Sequence, residues 1–217
     1  MRLLATVSFA LVLALGALAA RAEPRLDAAL AAYERGEFAA ARAAFERLAR
    51  DGVAAADYNL AVMHLRRERP DANPREALRL MARAADAGFV TAMVGLGELY
   101  ERGEAPLLRD LPLSVLWFRR AAEAGSVEGQ LAVATAHYLG RGAALDKAQA
   151  ARWYRLAAQQ GDGGAMYLFA SMCETGDGIE RDLAEARYWY AAAARNGETG
   201  AAEKAKAIEK KLSSPAS

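Results

Sequence analysis

Trp117-Phe118-Arg119-Arg120-Ala121-Ala122-Glu123-Ala124-Gly125 returns 36 residues later as Trp153-Tyr154-Arg155-Leu156-Ala157-Ala158-Gln159-Gln160-Gly161, and after another 36 as Trp189-Tyr190-Ala191-Ala192-Ala193-Ala194-Arg195-Asn196-Gly197. An earlier copy, Leu80-Met81-Ala82-Arg83-Ala84-Ala85-Asp86-Ala87-Gly88, keeps the alanine pair and the glycine without the aromatics. Self-similarity at this period marks a repeat array, in which each unit is too small to hide its own apolar face and must stack on the next. The periodicity divides the chain into four segments, 53–88, 89–125, 126–161 and 162–197.

Each segment reads as two helices. In the first, apolar and small residues recur at offsets of four, one and three, as in Ala56, Leu60, Ala61 and His64, or Gly129, Val133, Ala134 and His137, which places them on one face of a 3.6-residue helix. The second opens at Asn73-Pro74-Arg75-Glu76, Asp146-Lys147-Ala148-Gln149 or Asp182-Leu183-Ala184-Glu185, each an N-cap acceptor with Glu or Gln three positions on, and Asp110-Leu111-Pro112 is a variant. The closing glycine supplies the left-handed residue that turns the chain into the next segment. Trp117, Trp153 and Trp189 are expected to fill the larger gaps between helices. Upstream, 23–52 reads as a further helical pair broken at Gly36-Glu37; downstream, 198–217 reads as a charged capping helix and a frayed tail. The expected fold class is all-α, an alpha-alpha solenoid of paired helices.

Composition agrees with this and narrows function. Of 217 residues, 54% are hydrophobic but only 8% aromatic, and Lys+Arg 28 nearly balances Asp+Glu 27, so neither a disordered tail nor a basic nucleic-acid binder is favoured. One cysteine excludes an intramolecular disulfide, and two histidines exclude a histidine-rich metal site. Met1-Arg2, the uncharged run Leu3 to Ala20 and the small-residue ends Ala17-Leu18-Ala19 or Ala20-Arg21-Ala22 have the order of a secretory signal spanning 1–22, with an uncleaved anchor as the alternative. Its removal takes away Arg2 and Arg21 and turns the formal charge from +1 to −1. The expected location is periplasmic or secreted, with no stable membrane insertion after cleavage.

Leu96-Gly97-Glu98-Leu99-Tyr100-Glu101-Arg102-Gly103, followed by Asp110, Trp117-Phe118 and Ala121-Ala122-Glu123-Ala124-Gly125, resembles the Sel-like (sel-one) repeat family, relatives of the tetratricopeptide repeat. Tyr138-Leu139-Gly140-Arg141-Gly142 with Asp146 and Trp153-Tyr154 resembles it again, as does Gly176-Asp177-Gly178-Ile179 with Asp182 and Trp189-Tyr190. The chain departs from the pattern where His64, His137 and Cys173 occupy the tyrosine slot, and where segment 53–88 lacks the paired loop glycines. The resemblance implies a solenoid whose first helices line a concave, partner-holding surface. Carried over by alignment, that surface comprises Tyr58, Val62 and Leu65; Val94, Glu98 and Glu101; Leu131, Thr135 and Tyr138; and Tyr167, Ser171 and Glu174. Tyrosine suits such a surface because it joins apolar area to a hydroxyl at low entropic cost. The alternative is that these tyrosines cover neighbouring repeats.

Chemistry has weaker claims on the sequence. His137 and Cys173 share one slot in stacked helices, which makes them packing residues more readily than an imidazole–thiol pair. Asp146 and Asp182 are explained as caps. Gly140-Arg141-Gly142 and Gly176-Asp177-Gly178 lack the strand and the lysine of a phosphate cradle. The leading expectation is a non-catalytic scaffold of the bacterial envelope that binds a protein or peptide and needs no cofactor or metal. A wall-acting envelope enzyme, or contact with an acidic polysaccharide through loops such as Arg66-Arg67-Glu68-Arg69, stands behind it.

Overall fold

The computed structural model describes residues 23–68, 71–103 and 108–213. The segment read as a secretory signal lies outside them. Helix α1 occupies 23–34 of the described residues. It is followed by α2 (Phe38–Arg50), α3 (Ala54–Leu65), α4 (Pro74–Asp86), α5 (Val90–Arg102), α6 (Leu111–Glu123), α7 (Val127–Leu139), α8 (Lys147–Gln159), α9 (Gly163–Thr175), α10 (Leu183–Arg195) and α11 (Ala201–Ser213). The chain forms two compact units that divide between Ala92 and Met93. In the first, α3 packs against α2 and α4; in the second, α6 to α11 each pack against the next helix in sequence. This is an all-α solenoid of repeated helical hairpins.

The recurring Ala-Ala-x-x-Gly is a helix stop. At the end of α4, Gly88 N–H donates to Ala85 O and Phe89 N–H to Ala84 O, both at 3.0 Å, with Gly88 at φ +89°, the paired bonds of a Schellman cap. The same pair of bonds closes α6 at Gly125 and Ser126, and α10 at Gly197 and Glu198. Ser126 then starts α7 by accepting from Gly129 N–H at 3.1 Å, and Asp162 starts α9 by accepting from Ala165 N–H at 2.6 Å, so each connection needs only a few residues. Asn73, Asp110, Asp146 and Asp182 cap the second helices as their spacing predicts. The reciprocal partners are used differently: Glu76 binds Arg79, and Glu185 accepts from Trp189 Nε1.

The second aromatic fills the interior in all three pairs, and the tryptophan does so only in the last. Phe118, Tyr154 and Tyr190 are buried, Tyr190 completely, whereas among the tryptophans only Trp189 is buried and Trp117 and Trp153 are half-covered. The reason is the position of the stripe. In α8 the covered residues are Ala150, Ala151, Tyr154, Ala157 and Ala158, which leaves Trp153 at the margin. Arg120 covers the Trp117 ring from 4.5 Å. Alanines at 0–2% exposure fill the remaining interface positions, which explains an apolar-rich but aromatic-poor composition.

The loop glycines have a steric role. A Cβ on Gly178 would lie 2.5 Å from Lys147 Cβ, and one on Gly142 would lie 2.5 Å from Leu111 O, so each loop sits directly on the start of the preceding repeat's second helix. Repeat 53–88 solves the turn without them, by placing Arg67 at φ +56°.

Candidate functional site

Within the second unit, α7 separates two clefts. The larger, about 260 Å³, has Leu111, Val115 and Phe118 of α6 on one wall and Leu131, Thr135 and Leu139 of α7 on the other, with Glu101 and Arg141 at its edge. The smaller, about 100 Å³, is formed by Tyr138 and Tyr154 against Leu168, Ser171 and Met172 of α9. A hydrogen bond of 3.0 Å between Thr135 Oγ1 and the Tyr154 hydroxyl links the two. Leu139 and Leu168 are 51% and 43% exposed, so the clefts carry uncovered apolar surface at their mouths. Both volumes fall below the roughly 300–1,000 Å³ usual for cofactor or drug-sized sites and suit single side chains of a partner.

The twelve surface residues expected from the resemblance have different roles. Glu101, Leu131, Thr135, Tyr138 and Ser171 line the two clefts. Tyr138 donates to Asp177 at 3.0 Å, Lys147 donates to the other oxygen of the same carboxylate at 2.7 Å, and these bonds hold the Asp177 carboxyl below its ordinary range. Glu98 is half-exposed and 3.2 Å from Arg102. Val94 is covered, at 8% exposure. Tyr167 meets Tyr190 edge-on at 5.1 Å between ring centroids. Glu174 is engaged internally: it accepts from the Tyr190 hydroxyl at 3.1 Å and from Lys204 at 3.0 Å, with Lys211 at 3.4 Å, and so fastens α11 to the last repeat. In the first unit, Tyr58, Val62 and Leu65 are half-buried along α3, and Tyr58 lies 5.3 Å from the Phe89 ring.

The groups with catalytic appeal sit in packing environments. Cys173 is fully buried, and burial, followed by the charges of Glu185 and Asp182, pushes its thiol up to about 12, far from a reactive thiolate. His137 places Nδ1 3.1 Å from Ala144 O and Nε2 3.0 Å from Arg119. His64 accepts from Asn73 N–H at 3.1 Å, a bond that pins the entry of α4. Among the described residues no group of three or more His, Cys, Asp or Glu is arranged to hold a metal ion. Arg66 and Glu68, from the loop considered for acidic polymers, both bind the Tyr33 hydroxyl.

Sequence reasoning missed a row of buried polar groups. Asp57, 5% exposed, is gripped through both oxygens by Arg83, one bond being 2.7 Å. The corresponding Gln130 accepts from Gln160 at 2.9 Å and Met166 accepts from Asn196 at 3.3 Å. The signal was present as Asp57 and Gln130 in a slot that holds Met93 and Met166 in the other repeats.

Paired helices with glycine-closed turns, stacked in sequence around small-residue interfaces, define a tetratricopeptide-like helical-repeat protein. The Sel1 repeat model matches four times, at residues 54–89, 90–126, 127–162 and 164–198, and the chain belongs to the Sel1 repeat family. Among solved structures, it is similar to a protective antigen of uropathogenic Escherichia coli strains with the same repeat fold, at 30% identity and a TM-score of 0.71, covering 85% of this chain and 41% of that one. It is also similar to a Sel1 repeat protein from Oxalobacter formigenes, at 28% identity and a TM-score of 0.63, covering 74% of this chain and 65% of that one. The chain thus spans less than two thirds of either. No curated protein matches it.

Proposed function

We propose that this Sel1 repeat protein is a non-catalytic scaffold of the bacterial envelope that holds a protein or peptide partner on the face of α7. The observation that carries the reading is the pair of small clefts on either side of α7, with Leu139 and Leu168 uncovered at their mouths and hydroxyls from Thr135, Tyr138 and Tyr154 between them. Side chains of a partner fill such clefts, and hydroxyls fix their register at little entropic cost. The alternation of basic start, apolar run and small residues in 1–22 supports export, and no helix among the described residues is long and apolar enough to cross a membrane.

The test is capture from the native envelope by the mature protein and by three folded variants. Leu131→Arg and Leu168→Arg should each lose a partner that the wild type retains, whereas Leu116→Arg, on an exposed position of α6, should keep it. Retention by both cleft variants would overturn the reading.

A further inference from the structure

The charge of the second unit is segregated by helix. α8 and α10 expose Arg152, Arg155, Arg187 and Arg195, and α6 carries the half-buried Arg119 and Arg120, against only Glu123 and Glu185 as acidic residues of these helices. The first helices reverse this balance: Glu101 on α5 lines the larger cleft, Glu98 lies one turn before it on the same helix, and Glu128 lies one turn before the cleft residue Leu131 on α7. Glu98 and Glu128 face one another closely enough to hydrogen-bond, and among the described residues no cation pairs with Glu128. Burial first, and then the charge of Glu98, raises the Glu128 carboxyl above its ordinary range. Arg102 answers Glu98 at 3.2 Å and Arg141 shares the cleft edge with Glu101, while among the described residues neither Glu101 nor Glu128 has an ion pair.

We infer that the α7 surface selects a basic segment with apolar anchors, whose Lys or Arg side chains meet Glu98, Glu101 and Glu128 while its apolar side chains enter the two clefts. The inference rests on the docking surface proposed above and adds the chemistry of what docks. A cation placed between Glu98 and Glu128 turns a like-charge contact into two attractive ones. Glu185 and Glu209 partly answer Arg155 and Arg187, but the net positive charge of the second helices still disfavours the same segment, so charge selects the face as well as the partner.

The test uses three fluorescently labelled heptapeptide pools with mixed Leu, Phe, Met and Tyr at four positions and Lys, Gln or Glu fixed at the other three, measured by anisotropy on the mature protein. The lysine pool should bind most tightly and weaken with salt. Glu98→Gln with Glu128→Gln, in a variant that keeps its helical circular dichroism, should reduce lysine-pool affinity by about fivefold or more and leave the glutamine pool unchanged. Arg152→Gln should change neither. Equal binding of the three pools, preference for the glutamate pool, or an unaltered double variant overturns the inference while leaving the docking surface standing. If Leu131→Arg and Leu168→Arg bind every pool as the wild type does, or no pool binds at about 1 mM, the docking surface falls with it.

Discussion

Alanine at position 129 would place a methyl group 2.7 Å from Ala122 N, 2.8 Å from Phe118 O and 3.0 Å from Ala121 Cβ. Two of those atoms are backbone of α6, so relief requires the α6–α7 hairpin to open by several tenths of an ångström. Overpacking of a closed interface costs about 1–3 kcal/mol, and contacts under 3.0 Å to backbone atoms place this one in the upper half of that range. Against this, alanine is favoured over glycine in a helix by at most about 1 kcal/mol. The balance is a net loss of about 1–2 kcal/mol, or roughly 2–8 °C in melting temperature for a chain of this size. Gly164→Ala is the control, because its methyl would meet only Asp162 Oδ1 at 3.4 Å and Glu198 Oε1 at 3.9 Å, and it should stabilise by about 0.4–1 kcal/mol. Urea and thermal unfolding followed at 222 nm measure both. Gly129→Ala as stable as the wild type would refute the close hairpin approach that the repeat is built on.

Three further outcomes follow from the packing. Tyr190→Ala, at a position with no exposure, should cost about 3–5 kcal/mol and Trp153→Ala clearly less, and urea midpoints in the reverse order would contradict the assignment of the second aromatic to the interior. Glu174→Gln should increase hydrogen exchange across Ala201–Ser213. Burial raises the Glu174 carboxyl, but bonds from Lys204, Tyr190 and Lys211 outweigh it and leave it lowered, so its contribution is present above the unfolded-state value of about 4.3 and is lost as pH falls through the folded one. Exchange in α11 should therefore rise on acidification in the wild type and respond less in the variant. Cys173 should resist alkylation by iodoacetamide at pH 8 in the native state and react once urea unfolds the chain; rapid native labelling would contradict its burial.

The repeat was legible in the sequence because its punctuation is local chemistry. A left-handed residue at the end of a helix and an acceptor at the start of the next act within four or five residues, so Ala121-Ala122-Glu123-Ala124-Gly125 and Asp182-Leu183-Ala184-Glu185 declare helix ends without tertiary information. Side-chain facing was less legible. Adjacent aromatics such as Trp153-Tyr154 differ by 100° around the helix, and which one is covered depends on the angle at which the neighbouring helix crosses. The fate of surface residues was hidden for the same reason. Glu174 and Glu101 occupy equivalent first-helix positions, yet α11 supplies Lys204 and Lys211 to Glu174, while Glu101 lines an open cleft. The Asp57–Arg83 pair spans 26 residues and becomes visible only when α3 and α4 pack.

The most direct test of partner docking on α7 is site-specific photo-crosslinking in the native envelope, with benzoylphenylalanine placed in turn at Leu139, Leu168 and Leu116. The first two stand at the mouths of the clefts and the third on α6, 53% exposed. One shared adduct is expected from Leu139 and Leu168 that is missing from Leu116. An adduct from Leu116 alone, or unrelated adducts at the two cleft positions, would contradict it.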